Sequence, residues 1–157
     1  MDHAELFEYQ ANQACNLDHC SSCWNNNYTL ADLAQVVLQY QQAEKSLEQS
    51  GYFDTTDDFT LVTQPMFVNV TTPPLNANGT YNKEFFSSDC FHWSQYGHAV
   101  IASYLWQNML QPIGSKNHQA NLSVPALPLS CPDSSCPFIR TTKNSANCQQ
   151  YYTEPAW

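Results

Sequence analysis

Apolar residues recur at helical spacing over residues 30–50, with glutamine, glutamate and lysine between them. Thr29 and Asp32 form the hydroxyl and carboxylate pair that caps a helix N-terminus, and Gly51 is placed to end the helix in the left-handed region. The pattern therefore predicts a long amphipathic helix. Residues 3–14 allow a further short helix. The apolar face of the long helix comprises Leu30, Leu33, Val37, Tyr40 and Leu47.

A short apolar run follows this helix and predicts a strand. Residues 59–64 read Phe-Thr-Leu-Val-Thr-Gln and are stopped by Pro65, as expected for a buried strand rich in β-branched and apolar side chains. Residues 68–81 contain two consecutive prolines and an Asn-Gly pair, which predict an exposed loop. With the helix that follows, this order of elements predicts an α/β unit.

A second helix is predicted over about residues 95–110, with Ser94 as its N-cap and with Pro112 and Gly114 ending it. Prolines and cysteines replace any periodicity further along the chain, so we expect residues 115–157 to form an irregular tail held by disulfides. The apolar face expected for the second helix comprises Ala99, Ala102, Leu105, Trp106 and Met109.

Length and charge limit the classes of function. The chain has 157 residues, enough for one domain with a core. Its 14 acidic and 5 basic residues give a net charge of −9, which repels phosphate backbones and anionic lipid surfaces, so we expect no nucleic-acid partner. The sequence contains no run of about 18 apolar residues, so we expect no membrane span in this chain.

Cysteines and N-glycosylation sequons together indicate a chain made in the secretory pathway. We therefore expect a secreted protein, or one on the extracellular face of the plasma membrane, with disulfides and glycans. The odd number of cysteines leaves at least one thiol free or paired outside this chain. The disulfide candidates are Cys15, Cys20, Cys23, Cys90, Cys131, Cys136 and Cys148. The sequons begin at Asn27, Asn69, Asn78 and Asn121.

The first three cysteines also admit a zinc site. Cys15, Cys20 and Cys23 are spaced closely enough to bind zinc, with His19 as a fourth ligand. The sequons and the lack of a second ligand pair favour disulfides, so we expect no metal and no cofactor, while the disulfide pairing stays open. The first residues have neither a basic nor an apolar signal region, so we expect a piece of a larger precursor.

Asp89 and His92 lie three residues apart in a loop rich in serine and aromatic residues, Ser87 to Gly97. At this spacing the carboxylate can reach one imidazole nitrogen while the other faces outward. In a hydrolytic triad the carboxylate holds the imidazole tautomer, and the imidazole accepts the proton of a nucleophilic hydroxyl. The spacing alone favours an Asx turn with a structural role. We expect Cys90, between the two residues, to form a disulfide that fixes the loop.

The pattern extends well beyond the dyad of Asp89 and His92. It comprises the run F-F-S-S-D-C-F-H-W-S-Q-Y-G-H-A and the later run L-W-Q-N-M-L-Q-P-I-G. Together they closely resemble the last block of the GDSL/SGNH ester hydrolases of the phospholipase B type. The run D-D-F-T-L-V-T-Q-P-M-F and the long helix before it look like that family's final strand and last crossover helix. The resemblance covers roughly residues 12–140 and is specific around Asp89.

The resemblance implies a three-layer α/β/α fold with a flavodoxin-like parallel sheet. This chain would supply only the C-terminal half of that fold in residues 1–114, followed by the irregular tail over 115–157. The resemblance also implies cleavage of fatty acyl esters from phospholipids and lysophospholipids. By position, Asp89 would orient the imidazole and His92 would be the general base.

The chain departs from that family in lacking its nucleophile block, a Gly-Asp-Ser motif near the start of the domain. We therefore interpret Ser87, Ser88 and Ser94 as loop and cap residues. We expect the isolated chain to be inactive, to lack the N-terminal half of the domain and to expose apolar surface. The alternative is a non-catalytic secreted module stabilised by disulfides. None of the glycines of the sequence lies in a Gly-Asp-Ser motif. They are Gly51, Gly79, Gly97 and Gly114.

Overall fold

The computed structural model describes residues 29–151. The helix predicted over residues 3–14 lies outside this range. Along the described part of the chain, no helix is both long and apolar enough to cross a membrane. The elements in that part are helix α1 Leu30–Gln49, the 3-10 turn Lys83–Phe85, helix α2 Gln95–Leu110 and the 3-10 turn Gln149–Tyr151.

Helix α1 begins and ends as its sequence predicts. Thr29 Oγ1 accepts a hydrogen bond from the Asp32 N–H at 3.2 Å, and Asp32 Oδ2 accepts one from the Thr29 N–H at 2.8 Å. This reciprocal cap satisfies two N–H groups that have no partner inside the helix, and such a cap stabilises a helix by about 1 kcal/mol. Ser50 ends the helix, and Gly51 follows with a φ of 65°, which favours glycine.

The apolar face of α1 is only partly covered. Leu33 and Val37 are half-buried, whereas Tyr40 and Leu47 are 70% and 43% exposed. The Glu48 carboxylate accepts a hydrogen bond from Thr63 Oγ1 at 2.6 Å, which attaches the end of α1 to the segment that follows it. The exposed aromatic and aliphatic side chains agree with the expectation that this chain presents apolar surface.

The strand predicted over residues 59–64 is not formed in the described residues. A strand is defined by hydrogen bonds to a neighbouring strand, and no ladder lies beside this segment within residues 29–151. Side chains hold the segment instead, because the Thr60 hydroxyl donates to Asp54 and Thr142 Oγ1 donates to the same carboxylate at 3.3 Å. The three-layer α/β/α fold therefore stays a prediction.

Helix α2 carries the core of the described residues. Its N-cap is Ser94, as predicted, whose Oγ accepts a hydrogen bond from the Gly97 N–H at 3.1 Å. One face of α2 packs against the chain that precedes it and against the tail that follows it, so residues distant in sequence share a single apolar cluster. The buried members of this cluster are Met66, Val70, Phe85, Phe86, Val100, Ile101, Tyr104, Ala120 and Leu122.

The buried face of α2 differs from the predicted one. Ala99, Ala102 and Leu105 are exposed, and Trp106 and Met109 are only half-buried. Apolar residues occur on several faces of this helix, so helical spacing alone does not select the face that becomes buried. The residues of α2 that are buried are Gly97, Val100, Ile101, Ser103, Tyr104 and Asn108.

The two polar residues of that face find partners. Ser103 Oγ donates to the Val100 carbonyl at 2.7 Å and accepts from the Leu127 N–H at 3.0 Å. Asn108 Nδ2 donates to the Asn117 carbonyl at 2.9 Å. These bonds satisfy Ser103 and the amide nitrogen of Asn108, whereas Asn108 Oδ1 is buried without a hydrogen-bond partner among the described residues.

The described part of the tail, residues 115–151, runs along α2 without an α-helix or a strand, as its composition predicts. Trp106 Nε1 donates to the Ser130 carbonyl at 2.7 Å, and the Arg140 N–H donates to the Met109 carbonyl at 2.9 Å. These two bonds join the tail to the last two turns of α2, in addition to the tail residues that lie in the core cluster. The contact of its indole with the tail accounts for the half-buried state of Trp106.

Two of the tail's cysteines are paired and one is not. Cys136 and Cys148, which are 12 residues apart in the sequence, form a disulfide. Cys131 is a free, exposed thiol, which corrects its selection as a disulfide candidate. The physical reason is that the other described cysteines, Cys90, Cys136 and Cys148, are all disulfide-bonded and leave no thiol for Cys131. A free thiol agrees with the odd cysteine count.

Lys116 is a buried cation at the C-terminal end of α2. Its Nζ donates to the Asn108 carbonyl at 2.6 Å and the Gln111 carbonyl at 2.9 Å. Burial lowers the pKa of Lys116, and the Glu48 carboxylate opposes this effect. Carbonyls at a helix C-terminus lack partners within the helix and attract positive charge, which accounts for an ammonium group in this buried position.

Replacing Gly97 by alanine tests the contact between α2 and the turn before it. A Cβ at Gly97 would overlap the Phe85 carbonyl oxygen, a backbone atom that cannot rotate away, and would crowd the Trp93 Cβ at 3.2 Å. We expect Gly97→Ala to lower the free energy of unfolding by about 1–3 kcal/mol, although alanine favours helices over glycine by about 1 kcal/mol elsewhere. Urea unfolding measures the difference.

The matched control for this experiment is Gln95→Ala, at an exposed position of the same helix. We expect it to change the free energy of unfolding by no more than about 0.5 kcal/mol. A Gly97→Ala chain as stable as the unsubstituted one would show that the two backbones can separate without cost.

Candidate functional site

The loop before α2 closes as a short hairpin. Phe86 and Trp93 face each other in an isolated antiparallel bridge, and the Ser87 N–H donates to the His92 carbonyl at 2.8 Å. The buried Phe86 anchors one arm in the core, and the other arm leads directly into the N-cap of α2. Residues 87–92 are thereby held at the N-terminal end of α2.

Cys90 makes the sharp turn of this hairpin. Its φ of 57° lies in the left-handed region, which residues other than glycine rarely adopt. Its N–H donates to the Ser87 carbonyl at 3.0 Å, and its sulfur is in a disulfide, as predicted. After the turn, the N–H groups of Phe91 and His92 both donate to Asp89 Oδ1 at 3.0 Å. The turn thus folds the backbone around the carboxylate.

The structure brings Asp89 and His92 into direct contact. His92 Nδ1 lies 2.7 Å from Asp89 Oδ2. The Asp89 side chain is 30% exposed and the His92 side chain is 71% exposed. The carboxylate is therefore enclosed by its own loop, whereas the imidazole projects towards solvent.

Hydrogen bonds determine the charge of the carboxylate. The His92 side chain contributes most to lowering the pKa of Asp89, followed by the Ser87 hydroxyl and the Phe91 N–H, while desolvation opposes them. Asp89 is therefore ionised throughout the neutral pH range. An ionised carboxylate only accepts hydrogen bonds, so a neutral His92 carries its proton on Nδ1 and leaves the lone pair of Nε2 free.

Aromatic rings contact one edge of the imidazole and the arm of the hairpin behind it. Phe91 contacts His92 edge to face, with ring centroids 4.9 Å apart. Trp93 contacts His98 at 5.5 Å and Phe67 at 6.5 Å. His98 is thus an exposed imidazole on α2 whose ring contact is with Trp93, outside the dyad. The sequence did not indicate the contribution of Phe67, because it lies 26 residues before Trp93.

The serines near the dyad have different positions. Ser87 donates its hydroxyl to Asp89 Oδ1, Ser88 is exposed, and Ser94 caps α2 and donates to the Glu84 carbonyl. Sequence reasoning had given Ser87 only a loop role, although a hydroxyl two residues before a carboxylate is a common partner for it. Within residues 29–151 no serine hydroxyl is hydrogen-bonded to the His92 ring.

The described part of the chain contains no group of three His, Cys, Asp or Glu side chains placed to share a metal ion. The zinc alternative concerned Cys15, Cys20, Cys23 and His19, which lie outside the described residues. It is therefore untested, as is the pairing of those three cysteines.

Three sequons lie on exposed parts of the structure. Asn69, Asn78 and Asn121 are all exposed, whereas Asn27 lies outside the described residues. Asn78 Oδ1 accepts from Thr80 Oγ1 at 2.7 Å, in a turn whose tip contains Gly79 with a φ of 80°. Solvent surrounds these asparagines, so the fold leaves room for glycans at all three positions.

Curated relatives of the chain include proteins named membrane-associated phospholipase B1. The chain is 43% identical to the Rattus norvegicus protein over 129 residues, which is 80% of this chain. It is 43% identical to the Mus musculus protein and 40% identical to the Homo sapiens protein, each over 121 residues or 77% of this chain. The chain spans 9% of the rat protein and 8% of the other two.

No family model matches the chain, and no solved structure matches it. The similarity to the three relatives shows that the chain is phospholipase B-like over most of its length.

The pH dependence of stability tests the charge assigned to Asp89. Because its pKa is lower in the folded than in the unfolded chain, the ionised carboxylate stabilises the fold above the unfolded pKa of about 3.9. This contribution is lost as the pH falls below that value and through the folded pKa. We expect the difference in unfolding midpoint between the unsubstituted chain and Asp89→Asn to be largest above about pH 5 and to shrink towards pH 2.

Thermal or urea unfolding between pH 2 and pH 7 measures this difference. Asp133→Asn is the matched comparison, because this exposed carboxylate also has a lowered pKa, caused first by the Ser135 hydroxyl, but has no histidine partner. A difference for Asp89→Asn that did not change with pH would contradict the assignment.

Proposed function

We propose that this chain supplies the aspartate and histidine of a serine ester hydrolase that cleaves fatty acyl esters of phospholipids and lysophospholipids. The observation that carries the proposal is the dyad, in which Asp89 holds Nδ1 of His92 while the imidazole stays 71% exposed. The names of the relatives support the substrate class. The sequence resemblance to GDSL/SGNH hydrolases supports the reaction.

In the proposed mechanism, His92 is the general base and Asp89 orients it. Nε2 accepts the proton of a serine hydroxyl as its oxygen attacks the acyl carbonyl carbon. The imidazolium, stabilised by the ionised Asp89, then gives that proton to the departing alcohol of the glycerol backbone, and an acyl-enzyme remains. Water attacks the acyl-enzyme in the same way, with His92 first taking its proton and then returning a proton to the serine oxygen.

We propose that the nucleophilic serine and the oxyanion hole come from sequence outside these 157 residues. The sequence contains no Gly-Asp-Ser motif, and the hydroxyls of Ser87 and Ser94 make other contacts. The exposed imidazole is accessible to such a serine. Without nucleophile and oxyanion hole most of the rate enhancement is lost, so the isolated chain is inactive under this proposal.

The same proposal includes a partial three-layer α/β/α fold over residues 1–114. The exposed side chains Tyr40 and Leu47 support it, because a crossover helix needs a sheet to cover its apolar face. The segment 59–64 would then pair with strands from the remainder of the domain.

We further propose a secreted protein, or one on the extracellular face of the plasma membrane. The disulfide-bonded Cys90, Cys136 and Cys148 support an oxidising compartment, and the relatives are named membrane-associated. The exposed sequons fit the same location.

Removing His92 tests the catalytic proposal in a longer protein that joins this segment to a Gly-Asp-Ser block. We expect His92→Ala to lower kcat for fatty acid release from phospholipid or lysophospholipid by about 10⁴ to 10⁶, because the serine loses its base. His118→Ala is the control, since His118 is exposed and its hydrogen bond to Asn69 uses its backbone carbonyl. Activity that survives His92→Ala would contradict the role of the dyad.

The isolated 157-residue chain gives a second test. Ester hydrolysis by the purified chain that disappears on His92→Ala would contradict the proposal that the serine lies elsewhere. Reading the transcript upstream of Met1 distinguishes the non-catalytic alternative. An in-frame Gly-Asp-Ser block supports the hydrolase, and a signal peptide directly before Met1 supports a secreted module.

Glycan occupancy tests the proposed location. In a eukaryotic secretory host we expect Asn78 to carry an N-linked glycan, because its sequon lies on an exposed turn. Asn78→Gln should remove one glycan from the intact mass, in agreement with the loss on enzymatic deglycosylation. Asn147→Gln, at an exposed asparagine outside any sequon, should leave the glycan mass unchanged. An unmodified Asn78 in a secreted chain would contradict the prediction.

A further inference from the structure

The two carboxylate oxygens of Asp89 have different hydrogen-bond partners. Oδ2 faces the imidazole, at 2.7 Å from His92 Nδ1. Oδ1 accepts three hydrogen bonds, from the N–H groups of Phe91 and His92 at 3.0 Å and from the hydroxyl of Ser87. The three donors on Oδ1 prevent the carboxylate from rotating, and this fixed orientation leaves Oδ2 directed at the ring.

Ser87 is the side-chain donor of these three, and the backbone also fixes its own position. Its N–H donates to the His92 carbonyl at 2.8 Å, and its carbonyl accepts from the Cys90 N–H at 3.0 Å. It directly follows Phe86, which is buried in the core. The hydroxyl therefore connects the core-anchored arm of the hairpin to the carboxylate, whereas the two N–H donors belong to the turn itself.

We propose that Ser87 is a positioning residue for the dyad. Its hydroxyl fixes the Asp89 carboxylate so that Oδ2 holds the Nδ1–H tautomer of His92, which makes Nε2 the proton acceptor. The catalytic meaning of this role rests on the proposed function, but the role itself concerns contacts within this chain. Under this proposal Ser87 is not the nucleophile, and its side chain has a role beyond completing the loop.

This geometry predicts how removal of the Ser87 hydroxyl changes the pKa of Asp89 and the tautomer of His92. Two N–H donors remain on Oδ1, and the carboxylate gains freedom to rotate and to bind water at Oδ2. The charged form loses a donor, so the pKa of Asp89 moves up towards its ordinary value. His92 then loses its fixed acceptor, and the proton of the neutral ring is no longer restricted to Nδ1.

The experiment measures the tautomer of His92 by ¹⁵N NMR in the ¹⁵N-histidine-labelled 157-residue chain, with the His92 signals assigned by comparison with His92→Gln. We expect the unsubstituted chain to show mainly the Nδ1–H tautomer at a pH where the ring is neutral. Ser87→Ala should lose this preference. The control Ser88→Ala removes the hydroxyl of the exposed neighbouring serine and should retain it.

A second pair of variants separates the hydroxyl from the shape of the side chain. Ser87→Thr and Ser87→Val introduce side chains of nearly equal shape, of which only threonine can donate to Asp89. We expect Ser87→Thr to keep the Nδ1–H tautomer and Ser87→Val to lose it. This pair also tests the proposal if Ser87→Ala fails to fold, because the two branched side chains affect packing alike.

Three results would overturn the proposal. One is an unchanged tautomer in both Ser87→Ala and Ser87→Val. Another is equal loss in Ser87→Thr and Ser87→Val, since the ring would then respond to the shape of the side chain. The third is loss in Ser88→Ala, since the ring would then respond to general loosening of the loop. These measurements need no ester substrate. A failure of the proposed hydrolysis therefore leaves them unaffected, and their failure leaves the hydrolysis assay of His92→Ala unaffected.

Discussion

The backbone contact between Gly97 and the Phe85 carbonyl determines where the candidate site lies. It lets the first turn of α2 approach the turn before it closely enough to bury Phe85. The hairpin that carries Asp89 and His92 spans the few residues between these two anchors. A side chain at position 97 would separate them, and the loop would lose the support of the core on both sides.

The contact between Asp89 and His92 is formed locally, whereas the function proposed for it needs a serine from another part of the domain. Its hydrogen bonds all come from residues 87–92, so the charge of Asp89 and the tautomer of His92 are established within one turn. The remainder of the described chain supports this turn through the core that α2 shares with the tail, and the tail also hydrogen-bonds to Trp106 of α2. Under the proposed function, only the distance from Nε2 to a serine depends on the wider assembly.

Local signals predicted both described helices and the contact between Asp89 and His92, because caps, spacing and loop chemistry act over a few residues. Long-range packing was not predictable in the same way. The buried face of α2 is selected by Gly97 and by partners for Ser103 and Asn108, which lie in other parts of the chain. A strand over residues 59–64 depends on neighbouring strands, which its own sequence cannot specify.

The left-handed turn at Cys90 links the geometry of the loop to the compartment in which the chain folds. A residue with a side chain is disfavoured in that conformation, and the disulfide at Cys90 holds it there covalently. A chain made in a reducing cytosol lacks this constraint between the carboxylate and the imidazole. Oxidation of Cys90 therefore acts on the turn between the two residues of the dyad, and the redox conditions of expression bear directly on recombinant material for work on this site.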